Sequence, residues 1–565
     1  MKEPKRKCRY LILMLWLLSL NSTIHGQEID LEPVTDTYAI RNANIVQSPG
    51  RVISMGAVLI EEGVIKSVGK SINIPANAKI IEADSMYIYA GFIDGLSHIG
   101  LPKPKEKAID RSQIKDPANP PNDLSGIQPE RLASAMLGPK DKSVSDMRKI
   151  GFTTAQAVPH GLMLPGQGTL ILLSGETPDQ MVYRKETSMY AQLEGAPRRL
   201  YPNTVIGVMA KYRELYRQAV QSKDYLKKYN ANPAGMVRPE QNFIEEAFYP
   251  VIEKKTPVTF RAESVLDIQR ALTLKSDLGF DLMLGEVKQG WDVIDKIKAS
   301  NAKVFLSLDL PEIKEEKQDS EKDEVSASKT ESDLEKERLE KRKKEIIDLH
   351  YQQASTFKDK GLKFGFSTLE VKPKDIKKNL SKLLEYGMTE SDLIAALTTH
   401  PAELLGLSTV MGTIDPGKMA NLVVTDKPYF DEKSNIRYVI VDGNVQSYEV
   451  KKPKKKGTGK DAMPKGKWSY SADTPNGTVT GEIIITGEPD DYSGTISNSQ
   501  TGQTTDLTEV SVGGGSLSLS FPFDIGGNNI QIQITAEIDG NTFEGNMSVG
   551  QLGSFEVEGQ REPKN

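Results

Sequence analysis

The chain has 565 residues, is 38% hydrophobic and 26% charged, and carries a formal net charge of −5. That length exceeds one ordinary domain, and the composition suits a globular chain rather than a disordered or membrane-embedded one. A mildly acidic exterior argues against nucleic acid as a partner, because phosphate recognition needs concentrated positive charge.

Lys2, Lys5, Arg6, Lys7 and Arg9 precede an apolar run from Leu11 to Leu20, and a polar stretch follows to Gly26. A basic head, a short apolar core and a small residue at the end read as a secretory signal peptide over residues 1–26. The run is too short to cross a bilayer as a helix. Cys8, the sole cysteine, lies ahead of that run and cannot be a lipid-attachment residue after cleavage. The mature chain is expected to begin near Gln27, to be exported to the periplasm or beyond, and to keep neither a membrane span nor a disulfide. Losing five cations and one anion takes its formal charge from −5 to −9. Four histidines then remain, at His98, His160, His350 and His400.

From Tyr38 to Ala90 the text is strand-like, in short β-branched runs punctuated by Asn, Gly and Pro. Residues 91–407 alternate apolar runs such as "TPVTFRA", "FDLMLGEV" and "KVFLSLDL" with helical periodicity such as "DIQRALTLKSDLG". Repeated alternation predicts a parallel α/β barrel or a doubly wound sheet. Within it, residues 312–344 form a highly charged insert. Its first half reads as a solvated loop, and its second half has helical spacing with opposite charges at i,i+4. Strand text returns in "ANLVVTDKP" and "IRYVIVDGNVQSYE" over residues 408–449. A basic, Gly- and Pro-containing linker spans residues 450–467, without the interleaved aromatics of a nucleic-acid patch. Residues 468–561 alternate apolar with Thr, Ser, Gln or Glu between Gly, Asn and Asp turns. That pattern predicts an all-β barrel or sandwich with one buried face.

Two long segments resemble one known family. "VLIEEGVIKSVGKSINIPANAKIIEADSMYIYAGFIDGLSHIGLP" is similar to the entry of amidohydrolase-superfamily enzymes, where a small β-sandwich leads into a first barrel strand ending Ile-Asp-x-His-x-His. "LIAALTTHPAELLGLSTVMGTIDPGKMANLVVTD" is similar to that family's closing helix and return strand. The segments "GFTTAQAVPHGLMLPGQGTLILLSG" and "PVTFRAESVLDIQRAL" look most like the imidazolonepropionase-like branch. The resemblance implies a (β/α)8 TIM-like barrel over residues 91–407. It also implies a composite β-sandwich from residues 38–90 and 408–449. "GKWSYSADTPNG" looks like a lipocalin-style opening, in which a Trp plugs the end of a barrel.

The family's chemistry implies one or two divalent ions at the C-terminal mouth, held by two His on the first strand, one His on each of two later strands, and an Asp that also acts as general base. This chain departs from that set. The paired positions hold Leu96 and His98, the His expected after "PVTF" is Arg261, no His stands in or near "LMLGEV", and the expected Asp is Thr368. Leucine cannot ligate, and a permanent cation repels a metal ion. His98 is the one inherited ligand position kept. His160, Glu263 and Glu370 are candidates for a rebuilt site, while His350 and His400 stand outside the ligand set.

These readings predict no cofactor, or a zinc ion if the chain is active, and no residue is assigned a catalytic role. The expected function is that of a catalytically impaired homologue, binding a small-molecule ligand or an active amidohydrolase. One alternative is a working hydrolase of cyclic amides or small peptides. Another is a surface- or ligand-binding module carried by the terminal β domain.

Overall fold

A computed structural model describes residues 36–104, 114–197, 200–312, 331–448, 464–474, 477–488, 491–513, 516–525, 528–549 and 553–562. The expected signal peptide, the first part of the charged insert and most of the linker lie outside the described residues. The chain divides into two compact units, residues 1–449 and 450–565. Among the described residues, no helix is long and apolar enough to cross a membrane.

The first unit begins with β1 (Thr37–Ser48), β2 (Arg51–Glu61), β3 (Val64–Gly69), β4 (Lys79–Glu82) and β5 (Tyr87–Ala90). They join β14 (Leu422–Thr425), β15 (Ile436–Val441) and β16 (Asn444–Ser447), from the far end of the unit, in one sheet. Its order is β16-β15-β14-β5-β1-β2-β3, with β4 beside β1. This is a single eight-stranded sheet rather than the two facing sheets of a sandwich. Three register shifts along β1 bend it, as bulges do, so that it wraps a core including Ile40, Val58, Ile88, Leu422 and Ile440.

Between these segments lies a second eight-stranded sheet, β6 (Phe92–Ser97), β7 (Phe152–Ala157), β8 (Gly166–Leu172), β9 (Val182–Ala191), β10 (Val258–Arg261), β11 (Leu282–Val287), β12 (Lys303–Ser307) and β13 (Gly365–Ser367), neighbours in that order. All six residues of β6, β7 and β11 are buried, which suits strands covered on both faces. The ring is partly closed. Its first and last strands meet at their C-terminal ends, where Thr368 N donates to the Leu96 carbonyl at 3.1 Å.

The expectation of eight parallel strands is corrected at one place. β8 runs antiparallel to both β7 and β9, while the other adjacent pairs are parallel. Only residues 158–165 separate β7 from β8, and 173–181 separate β8 from β9. A parallel crossover needs a dozen residues or more, so these links turn the chain back as hairpins do.

Helices cover the sheet, among them α1 (Val205–Ala231), α2 (Val265–Leu278) and α3 (Glu331–Asp359). Ser264 caps α2 through a reciprocal pair with Asp267, and Gly279 ends it at φ 81°. The charged second half of the insert begins α3, exposed over residues 338–345, whose later turns bury Tyr351, Ala354 and Phe357. Inside the ring, Phe305 of β12 fills space that Gly95 of β6 and Gly365 of β13 leave open; a Cβ at Gly95 would lie 1.9 Å from the Phe305 ring.

The second unit contains only strands among its described residues: β17 (Gly466–Thr474), β18 (Gly477–Glu488), β19 (Asp491–Asn498), β20 (Thr504–Asp506), β21 (Glu509–Gly513), β22 (Ser516–Ile525), β23 (Asn528–Asp539), β24 (Thr542–Val549) and β25 (Ser554–Arg561). Every pairing is antiparallel, and β25 returns to β17. The ring closes through residues 504–513. β20 pairs with β19, Leu507 N still donates to Gly494 O on β19, and Thr508 N already donates to Ser520 O on β22. The result is an up-and-down barrel. One end is plugged by Trp468, fully buried, with Nε1 donating to Pro464 O at 2.8 Å and the Arg561 guanidinium 4.4 Å from its ring centre.

Candidate functional site at the barrel mouth

Polar residues gather where the barrel strands end. Ser97 and His98 close β6, His160 follows β7, Arg261 closes β10, Glu286 and Lys288 stand at the end of β11, Ser307 closes β12, and Ser367 and Thr368 close β13. The C-terminal strand ends are where a parallel barrel carries its site, because the loops that vary lie there.

His98 is nearly buried, and its Nδ1 lies 2.7 Å from the Val158 carbonyl. A carbonyl only accepts, so Nδ1 carries the proton. His160 stacks on His98 with ring centres 3.7 Å apart and planes inclined at 29°, and its Nε2 faces the Leu101 carbonyl at 3.2 Å. Burial, with His160 alongside, pushes the His98 pKa down to about 3, so the ring is neutral. Burial also lowers the pKa of His160.

Beside this pair lies a chain of ion pairs. Arg261 Nε donates to Glu263 at 2.7 Å, and its terminal nitrogen reaches Glu263 at 2.5 Å and Glu370 at 3.0 Å. Burial opposes the guanidinium charge, but Tyr190, Glu263 and Glu370 outweigh it and hold the pKa above its ordinary value. Lys288 continues the chain to Asp309 at 2.7 Å and Glu263 at 3.4 Å. A pocket of about 240 Å³ opens against Arg261, Glu263 and Asp267 on one side and Gln192 and Glu194 on the other.

Beneath it are two fully buried carboxyls. Asp94 accepts from Leu96 N and Thr368 N, each at 3.2 Å, and from the Thr368 hydroxyl. Glu286, at φ 57°, lies 2.5 Å from both Ser307 Oγ and Ser367 Oγ. Ser367 Oγ also lies 2.9 Å from the Leu96 carbonyl, which can only accept. A serine has one proton to give, so both contacts are satisfied when Glu286 is protonated and donates to Ser367. Burial pushes Asp94 and Glu286 up to about 7 each.

These residues do not fit the ligand set of a divalent ion. Leu96, fully buried beside Val158 and Tyr190, puts hydrocarbon where an imidazole would stand. Two stacked rings keep their lone pairs in planes that meet far beyond a metal–nitrogen bond of about 2 Å, so His98 and His160 cannot share one ion. Glu263 and Glu370 are paired with Arg261. Among the described residues, no three His, Cys, Asp or Glu converge to hold a metal.

The amidohydrolase family model matches residues 314–448. An amidohydrolase from Thermotoga maritima MSB8 shares the fold with a TM-score of 0.57 at 22% identity, over 73% of this chain and 100% of that one. The likeness to the amidohydrolase family thus covers the fold and, in sequence, residues 314–448. A putative prolidase from Bifidobacterium longum is also similar, at TM-score 0.44 and 15% identity, over 73% of this chain and 95% of that one. No curated protein matches the chain.

The structure brings together most of the residues singled out from the sequence. His98 and His160 stack, and Glu263 and Glu370 share Arg261. His400 lies away from them, its Nδ1 3.2 Å from the Phe364 carbonyl just ahead of β13. His350 stands on α3 with its ring 5.0 Å from Trp291. Sequence reasoning did not pick out Asp94, Glu286, Lys288, Ser307, Asp309 or Ser367. The available signal was Glu286 itself, a lone acid in the apolar run "LMLGEV".

Proposed function

We propose that this chain is an exported amidohydrolase homologue that has exchanged metal-dependent hydrolysis for ligand binding at the barrel mouth, in the imidazolonepropionase-like branch. One observation carries the reading. Arg261, at the position of an expected histidine, is fixed between Glu263 and Glu370 and is held as a cation by them. A guanidinium there cannot ligate, and in a half-buried setting it disfavours a second cation. The same cluster borders a pocket of about 240 Å³ whose walls are mostly polar, which suits a small polar ligand positioned by hydrogen bonds. Binding of an active homologue at this mouth is a second form of the proposal, and the small volume of the pocket, about 240 Å³, favours the small ligand.

The test is metal content of the purified chain after growth in zinc, together with hydrolysis of cyclic amides and dipeptides. The expected result is less than a tenth of an equivalent of zinc and no hydrolysis above background. Stoichiometric metal that disappears in His98→Ala, together with an amidase activity, would overturn the reading.

A further inference from the structure

The terminal barrel is packed at one end and hollow at the other. Trp468, Ile483, Leu517 and Phe543 fill the plugged end and are essentially buried. Gly559 leaves room for a large ring there: a Cβ would lie 2.3 Å from Phe543. Toward the other end, the inward positions of the same strands surround a cavity of about 380 Å³. Folded interiors rarely leave voids larger than a water molecule, and an unfilled apolar void costs stability in proportion to its volume. This volume lies within the range of small-molecule sites, and well above the roughly 150 Å³ that accommodates benzene in an engineered cavity.

The lining specifies the occupant. Phe521, Phe523, Ile532, Met547, Val549 and Phe555 supply apolar walls from β22 to β25. Polar groups are concentrated on one side, around the β19–β20 hairpin, with Asn498, Gln503 and Thr505 the main ones, and no charged residue lines the cavity.

We infer that the terminal barrel is a binding site for a neutral amphipathic small molecule, its apolar body between Phe521 and Met547 and its single hydrogen-bonding end against Asn498 and Gln503. This site is separate from the barrel mouth of the first unit and does not depend on what that mouth binds.

The experiment uses the full chain and the uncharged fluorophore N-phenyl-1-naphthylamine. Saturable binding of one fluorophore per chain is expected. Met547→Trp and Val549→Trp, which fill the cavity, should each weaken it at least tenfold, while Glu263→Gln at the other site should leave it unchanged. Circular dichroism of the strands and the thermal midpoint confirm that each variant is folded, and Asn498→Ala offers a second variant that does not crowd the core. In competition, 1-decanol should displace the fluorophore at a concentration at least tenfold below that needed for decanoate, and Asn498→Ala should narrow that gap. Absence of saturable binding, equal affinity in folded Met547→Trp, or preference for decanoate would each overturn the inference.

Discussion

Replacing Glu286 by Gln should leave the protein more stable than the wild type at alkaline pH, relative to acid. Glu286 has a folded pKa of about 7 against an ordinary 4.5, because burial disfavours its charge. A carboxyl raised in this way binds its proton more tightly in the fold than in the unfolded chain. Its contribution is therefore full below pH 4.5, declines as pH rises, and is lost through about pH 7. Between about pH 5 and about pH 8 that loss amounts to roughly 2.5 kcal/mol, at 1.36 kcal/mol per unit. Glutamine reproduces the protonated acid: its amide nitrogen donates to Ser367 and its oxygen accepts from Ser307. It has no charge to expose at high pH. The nearby Lys288 loses a partner 3.9 Å away but keeps Asp309 and Glu263. Urea unfolding followed at 222 nm reports the first unit, since the second contains no helix among its described residues. The difference in unfolding free energy between Glu286→Gln and wild type should move by roughly 2.5 kcal/mol in the variant's favour between the two pH values. Asp94 titrates in both proteins and cancels. Curves that stay parallel to within about 0.5 kcal/mol would refute a buried, protonated Glu286.

Three further outcomes are expected. The His98 ring, held neutral by burial with a pKa of about 3, should keep neutral-imidazole NMR shifts from pH 8 down to pH 5, and a midpoint near 6 would contradict that environment. Gly95→Ala puts a methyl group 1.9 Å from the Phe305 ring and should cost about 2–3 kcal/mol in chemical denaturation, whereas an unchanged midpoint would mean the barrel interior is looser than described. Brief trypsin treatment should cut within the lysine-rich residues 451–467, where the two compact units divide, and release a fragment beginning near Trp468, so digestion of that fragment first would place the boundary elsewhere.

The fold was legible where patterns were long. Sustained strand–helix alternation and two ordered end segments pointed to the barrel, and period-two alternation after Trp468 pointed to the all-β unit. β8 was misread because a fully buried strand looks alike in either direction; the short links on both sides of it held the information. The single wrapped sheet could not be told from a sandwich because bulges along β1 depend on strand pairing rather than on residue type. At the mouth, the departures from the inherited ligand set were visible as residue identities. What replaced it was not visible, since the pairings of Arg261 with Glu370 and of Glu286 with Ser367 join residues more than eighty positions apart in sequence.

The first sheet also sets a timetable for biosynthesis. β5 pairs with β1 on one edge and with β14 on the other, yet Leu422 leaves the ribosome about 330 residues after Ala90. At about 5–20 residues per second, the second edge of β5 waits roughly 15–65 s for its partner. An open edge is a template for a strand from any neighbouring chain. Nascent chains stalled or cleaved anywhere inside the barrel therefore carry a half-built sheet with a sticky border. The ribosome must finish almost the whole first unit before its first strands are safe.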